Sequence, residues 1–246
     1  MVAQFAPPVT AAEPAIGAIV PHGSYQHSGA IVGQTLGRVA IPERCLILGS
    51  NHTGVGSPWS VMSDGAYQTP IGEVPIDQTL ARALLEACPL LEDEAIAHHG
   101  EHAIEVVLPF LQWRRPSVQI VPLITSSEDP QACQHVAQAI GWLIGSSEQP
   151  VGVLISADLS HYEPHQIVRD QDADLLAMIR QRDAEEFLRL AQERSMRLCG
   201  GGAIACGLWV ARDLGAREAQ VIRYGTSAEA GGDPGSAIGF AGVILN

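Results

Sequence analysis

Lysine is missing from this chain: all 14 basic residues among its 246 are arginine. That excludes a Schiff-base enzyme and a phosphate loop of the Walker type, both of which need an ammonium group. Positive charge is scarce in general. The 27 acidic residues leave a formal net charge of −13, so the chain lacks the basic face that nucleic-acid phosphates require. Long apolar runs are missing too. Nothing approaches the roughly eighteen consecutive apolar residues of a membrane span, and the first residues have neither the basic start nor the apolar core of a secretory signal. A cytoplasmic location with no membrane contact is the expectation. Finally, there is no CxxC pair. The five cysteines, Cys45, Cys88, Cys133, Cys199 and Cys206, are odd in number and widely spaced, which argues against a disulfide framework.

What is present is an apolar fraction of 46%, enough for a well-buried core in one large α/β domain. Residues 1–14 read as a mobile leader and 15–246 as the domain. Apolar runs at 15–20, 45–48, 118–123 and 151–155 read as buried strands. Helical spacing at 28–40, 77–87, 103–113, 130–144, 169–180, 184–194 and 203–214 places helices between and after them. Pro109 falls inside one of these as a kink or break. The first crossover, if right-handed, makes the strands near 15–20 and 45–48 parallel. Residues 59–62 and 66–69, separated by Asp64-Gly65, read as a hairpin on the sheet rim. Asp77 is placed to cap a helix. Runs at 219–224 and 237–245 close a mixed, mostly parallel sheet with helices on both faces.

Three of the buried strands deliver a histidine just past their ends. Val20-Pro21 is followed by His22, Gly49-Ser-Asn by His52, and Ser156-Ala-Asp-Leu-Ser by His161. Open α/β sheets bind ligands at the carboxyl ends of their strands, so three histidines in that context point to one polar site. His22 alone could instead cap the next helix, and His52 could serve a turn beside Asn51. Asp158, three residues before His161, could orient its imidazole or bond local backbone amides. Cys199 precedes Gly200-Gly-Gly202, where nothing bulky shields a sulfur, although a plain buried cysteine is the alternative. The other four cysteines lie in apolar or helical stretches and read as small core residues. With Glu101-His102 these residues form the candidate set. Neutral imidazoles and a thiolate suit iron, copper or zinc; magnesium and calcium prefer oxygen. His27, His98, His99, His135 and His165 read as surface or packing residues.

Seven ordered motifs add a resemblance. They are Pro21-His-Gly-Ser-Tyr25 with Ser28-Gly29, Ile47-Leu-Gly-Ser-Asn-His52, Thr69-Pro-Ile-Gly72, Glu101-His-Ala-Ile-Glu105 through Leu108-Pro-Phe-Leu-Gln112, Ser156-Ala-Asp-Leu-Ser-His-Tyr162, Leu198-Cys-Gly200 and Tyr224-Gly-Thr-Ser227. In this order the chain resembles the MEMO family, which includes the AmmeMemoRadiSam system protein B proteins. The resemblance implies a fold like that of class III extradiol dioxygenases, which are non-haem iron(II) enzymes. It implies His22, His52 and Cys199 as metal ligands, iron(II) first with copper or zinc as alternatives. It gives His161 the acid/base role with Asp158 beside it, and sets Tyr25, Glu101 and His102 at the pocket border.

The resemblance leaves the activity open. One expectation is a dioxygenase-like redox enzyme acting on a small enediol or phenol. Another is a non-catalytic binding or adaptor protein that takes a peptide, or AMMECR1-like and radical-SAM partners. A zinc hydrolase is the weaker third. Two departures stand out: the family's Pro-His-Ala-Gly-Tyr is Pro-His-Gly-Ser-Tyr here, and Thr53 replaces a second histidine. The motif comparison leaves residues 1–13 unmatched.

Overall fold

The apolar runs that precede the histidines lie side by side in the middle of one sheet. The computed structural model describes residues 2–5 and 12–246. In chain order these form α1 (Val2–Phe5), β1 (Gly17–Val20), α2 (Tyr25–Leu36) and β2 (Arg44–Ser50). An excursion of short strands follows, β3 (Trp59–Val61), β4 (Ala66–Thr69) and β5 (Gly72–Pro75), then α3 (Gln78–Ala87). The pieces β6 (Glu92–Asp93), α4 (Ala95–His98), α5 (His102–Glu105) and α6 (Leu108–Arg114) lead into β7 (Gln119–Thr125) and α7 (Pro130–Gly145). Strands β8 (Val151–Ser156) and β9 (Asp158–Glu163) precede α8 (His165–Gln181) and α9 (Ala184–Glu193). The chain closes with β10 (Leu198–Cys199), α10 (Gly201–Asp213), β11 (Ala219–Thr226) and β12 (Ala237–Leu245).

Among the described residues the main sheet runs β10-β9-β12-β1-β8-β2-β7-β3-β6, with β11 paired to β12. Its centre, β1-β8-β2-β7, is parallel, whereas β12, β9, β10 and β11 pair antiparallel on one flank. Parallel strands are covered on both faces, and their side chains follow suit: Leu46, Ile47, Leu48, Val121 and Leu123 are all fully buried. On one face α2, α5 and α6 pack with Val20, Ile47 and Ile120 around Phe110 and Leu108. On the other, α3, α7 and α10 cover Leu46, Leu48 and Ile155. Helices α8 and α9 each bury one stripe on that second face, Leu175 and Ile179 from one, Phe187 and Leu188 from the other. Cys45, Cys88, Cys133 and Cys206 are buried core residues.

Strands β1 and β2 are parallel as read, with β8 between them. Several sequence expectations resolve differently. The expected 59–62/66–69 hairpin does not form. Strand β3 joins the main sheet antiparallel to β7, and β4 pairs instead with β5 around Thr69-Pro-Ile-Gly72, where the Thr69 hydroxyl donates to Gly72 O at 2.9 Å. The helix expected over 103–113 is two helices. Pro109 sits in the first turn of α6, where its missing N–H costs no hydrogen bond. Asp77 caps α3 as read, accepting from Leu80 N at 3.0 Å. Of the expected leader, Val2 is buried and Phe5 lies beside Tyr25 with ring centroids 6.4 Å apart. Glu13 bridges Val39, and residues 1 and 6–11 lie outside the described residues. No described helix is long and apolar enough to cross a membrane.

The flank carrying β9 is tied down by a buried acid. Asp172 on α8 is fully buried and accepts from Ser160 N at 3.0 Å and from the Tyr224 hydroxyl at 2.8 Å. Burial pushes its carboxyl up to about 6, against the pull of those donors. The folded state therefore holds this proton more tightly than the unfolded chain does. Its contribution is largest at acid pH and is lost as pH rises through about 6. Asp172→Asn keeps an acceptor for Ser160 and removes the titration. In urea unfolding the variant is expected to gain stability relative to the parent as pH rises from about 4 to about 7. Parallel pH profiles for the two proteins would contradict this.

Candidate metal centre

The parallel centre aims its strand ends at one edge. Val20 of β1 stands beside Ser156 of β8 in the ladder, and Pro21 stops the strand so that His22 follows at once. The His22 backbone N–H donates to Asp158 Oδ1 at 2.9 Å. Its ring is almost fully buried, at 2% exposure, with Nδ1 3.1 Å from Ser156 Oγ. Ser156 donates its own proton to Ala103 O, so the hydroxyl is left to accept from His22 Nδ1–H. That places the lone pair of neutral His22 on Nε2, which faces Cys199 Sγ at 3.2 Å.

His52 is held by the same logic through a carboxylate. Glu101 Oε1 lies 2.7 Å from His52 Nδ1, and a carboxylate can only accept, so Nδ1 carries the proton. The other oxygen accepts the His52 backbone N–H. Glu101 also caps α5 by accepting from Ala103 N at 2.8 Å. Burial opposes ionisation of Glu101, yet the hydrogen bonds from His52 and Ala103 outweigh it and hold its carboxyl down at about 2. His52 Nε2 is thereby turned to Cys199 Sγ, with which it is hydrogen bonded. Imidazoles whose Nδ1–H is fixed by an oxygen and whose Nε2 faces a common point have the arrangement of metal-bound histidines.

The sulfur arrives from a special turn. Cys199 ends β10, which pairs with β9 so that Cys199 faces Asp158. Gly200 then adopts φ +106°, and a Cβ there would come within 2.7 Å of Ala157 Cβ and 2.8 Å of Ser50 Oγ. Glycine is thus required for the chain to pass so close to the strand ends. Burial raises the Cys199 pKa, but the two imidazoles outweigh it and bring the thiol down to about 7. The same contact, followed by Glu101, lifts His52 to about 10 against burial. Between those values the pair is a thiolate with an imidazolium.

His102 was expected only at the border, and it comes closer than that. Its ring stacks on His52 with centroids 4.5 Å apart and planes at 27°. Nitrogen atoms of His22, His52 and His102 all lie within 4.8 Å of one another. The histidines alone therefore offer a second possible donor trio. Cys199 Sγ is within hydrogen-bond reach of the His22 and His52 Nε2 atoms, whereas His102 is half exposed and reaches Glu101 at 3.5 Å.

His161 and Asp158 lie in β9, not in the local turn that their spacing also allowed. His161 Nδ1–H donates to Leu159 O at 2.7 Å, leaving Nε2 as the basic nitrogen. Burial lowers the His161 pKa more than the Asp158 carboxylate raises it, so the ring is neutral at pH 7. Asp158 Oδ2 is 3.9 Å from His161 Nε2 and 3.8 Å from His22 Nε2. Its direct hydrogen bond goes to the His22 backbone, so Asp158 positions His22 more firmly than it positions His161. A cavity of about 700 Å³ opens above these groups, bordered by Tyr25, His102, His161, Tyr162 and Arg197. Tyr25 donates its hydroxyl to Val106 O at 2.8 Å. Glu101 is not in the cavity wall and sits behind His52. His27, His98, His99, His135 and His165 stay out of the cavity wall, and His98 is a packing residue bonded to Tyr67 at 2.9 Å.

Sequence reasoning missed Ser156, Tyr162 and Arg197. Ser156 was quoted inside a motif, but its contact with His22 depends on the β1–β8 register, which no local pattern shows. In chelator-treated protein, iodoacetamide should alkylate Cys199 with a rate midpoint near pH 7, the thiolate being lost as pH falls through that value. His52→Ala should move the midpoint up towards the ordinary thiol value of about 8.5. A parent midpoint already at that ordinary value would contradict the geometry.

A family model described as "Memo-like protein" matches residues 1–244. Its span includes the first thirteen residues, which the motif comparison had left unmatched. A MEMO1 family protein of Methanopyrus kandleri is 34% identical over 233 residues, 93% of this chain and 82% of the relative. Those of Sulfolobus acidocaldarius and Methanococcoides burtonii are each 33% identical, covering 92% and 95% of this chain and 80% and 87% of theirs. A crystal structure of an uncharacterized protein from Escherichia coli K12 superposes with a TM-score of 0.62 at 15% identity, over 94% of this chain and 99% of that one. It shares the fold. With the model match end to end and relatives one-third identical over nearly the whole length, this chain belongs to the Memo-like protein family.

Proposed function

We propose that the chain is a metal-dependent redox enzyme that holds a transition-metal ion, iron(II) first, on His22, His52 and Cys199. Its substrate would be a small enediol or phenol entering the cavity above. One observation carries the reading: two Nε2 atoms, each with its Nδ1–H fixed by a buried oxygen, converge on one sulfur at the floor of that cavity. Two imidazoles and a thiolate fit iron, copper or zinc. When bound, such an ion supplies Lewis acidity and, for iron or copper, one-electron redox chemistry.

The chain's own groups have definite tasks in this scheme. His161 takes a proton from a substrate hydroxyl at Nε2, which is unprotonated at neutral pH and fixed by the Leu159 bond. The Asp158 carboxylate, 3.9 Å away, stabilises the imidazolium that results. Glu101 and Ser156 keep the two donor rings from rotating. Val106, Leu198 and Ile238 keep the cavity wall apolar and limit water.

Anaerobic loading with iron(II), followed by metal analysis and oxygen uptake with catechols and enediols, tests the proposal. The parent should bind one ion per chain, and Cys199→Ser or His52→Ala should abolish it. Glu101→Gln should weaken metal binding by about 10- to 100-fold, the usual effect of losing a group that orients a ligand. His161→Ala should keep the ion and lose uptake. Metal binding with no uptake for any substrate would overturn the enzyme reading. It would favour a binding role, above all if a stoichiometric AMMECR1-like or radical-SAM partner survives metal removal. A protein that takes up only zinc would favour hydrolysis.

A further inference from the structure

The cavity mouth has two features that the proposed metal centre leaves unused. The first is Tyr162. Strands β9 and β12 lose register beside it: Ala237 faces Glu163 while Ile238 faces His161, so Tyr162 is the extra residue of a bulge. Its φ is +59°, a left-handed value that a bulky side chain rarely adopts. Bulges and such backbone strain collect where a side chain must be re-aimed beside a functional site. Here the ring is 60% exposed and yet lines the cavity. It meets the His161 ring edge-on, with centroids 5.3 Å apart and planes at 71°.

The second feature is Arg197, immediately before β10. Its carbonyl accepts the His161 backbone N–H at 2.9 Å, so the residue is pinned beside the same histidine. It is the one arginine among the residues bordering the cavity. Among the described residues its guanidinium enters no ion pair and no hydrogen bond. On a chain of net charge −13, most of the surface repels anions. An arginine without a partner at a cavity rim is where an anion is admitted.

We propose that Tyr162 and Arg197 form a distal recognition subsite that selects planar substrates carrying a carboxylate at the end away from the reacting hydroxyls. The reading of which end goes down rests on the metal centre proposed above. The hydroxyl end lies on the cavity floor with His161. The flat middle of the substrate packs against the Tyr162 ring and the apolar side chains of Leu198 and Ile238. The acid group pairs with the Arg197 fork, whose two parallel N–H donors match a single carboxylate. A cavity of about 700 Å³ is within the range of small-molecule sites and accommodates a monocyclic aromatic acid.

The test is calorimetric binding to the full chain, once loaded with iron(II) under anaerobic conditions and once after chelation. The probes are 3,4-dihydroxybenzoate, its neutral isostere 3,4-dihydroxybenzamide, and catechol. The parent should bind the benzoate about tenfold more tightly than the amide, as a charge-assisted bidentate contact gives. Arg197→Gln should erase that preference while catechol affinity stays unchanged, and Arg197→Lys should restore part of it. Tyr162→Gly, a residue suited to the left-handed φ, should weaken all three probes without lowering thermal stability. Equal binding of benzoate and amide by the parent, a preference that survives Arg197→Gln, or no binding of any probe would overturn the proposal. Failure of the metal reading looks different. Catechol affinity would then ignore iron(II), while the Arg197-dependent preference persists in both forms.

Discussion

The hydrogen bonds that Glu101 and Ser156 accept from Nδ1 of His52 and His22 decide what this site can be. Without them each imidazole is free to spin and to choose either tautomer. With them, both rings present Nε2 to the same sulfur. Both acceptors are buried, and each is committed elsewhere: Ser156 to the Ala103 carbonyl, Glu101 to the Ala103 and His52 backbone amides. The orientation is therefore built into the backbone of α5 and β8 and is not a side-chain preference. The electrostatics follow from it. Two flanking imidazoles bring the half-buried sulfur down to about 7, and the contact with that sulfur, followed by the carboxylate behind the ring, raises His52 to about 10.

The sheet explains why these groups meet at all. Parallel strands β1, β8 and β2 end at one edge, and each contributes its next residues to the site. The sulfur and the basic His161 come from the antiparallel flank, where β9 runs on from β8 past Ala157 and is paired by β12 and β10. Asp158 stitches the two regions together by receiving the His22 amide. The close approach of β10 to the strand ends has one further condition, the glycine at 200, because any Cβ there collides with Ala157 and Ser50.

Much of this is legible in the residues themselves. Strands buried on both faces write apolar runs, so those at 45–48 and 151–155, and that at 118–123 with only Gln119 interrupting it, are visible, as is the histidine after two of them and after Pro21. Cys199 stood out because three glycines follow it. What local pattern cannot carry is pairing. Strand β4 chose β5 over β3 because Thr69 and Gly72 close a tight turn, while the Asp64-Gly65 step looked equally able to do so. Strand β9 was hidden because its six residues mix charge and apolar character, facing the site on one side and Asp172 on the other. The contacts of Ser156 with His22 and of Arg197 with His161 depend on register across distant segments. The closeness of His102 to the donor set has the same origin, since it needs the fold to stack α5 over the end of β2.

The account stands or falls on sulfur and two imidazoles sharing one ion. X-ray absorption at the metal edge of the anaerobically loaded protein measures this directly. The account predicts one sulfur scatterer at about 2.3 Å with two imidazole nitrogens at about 2.0–2.2 Å, the sulfur disappearing in Cys199→Ser. A spectrum with nitrogen and oxygen neighbours alone, unchanged by that substitution, would contradict it.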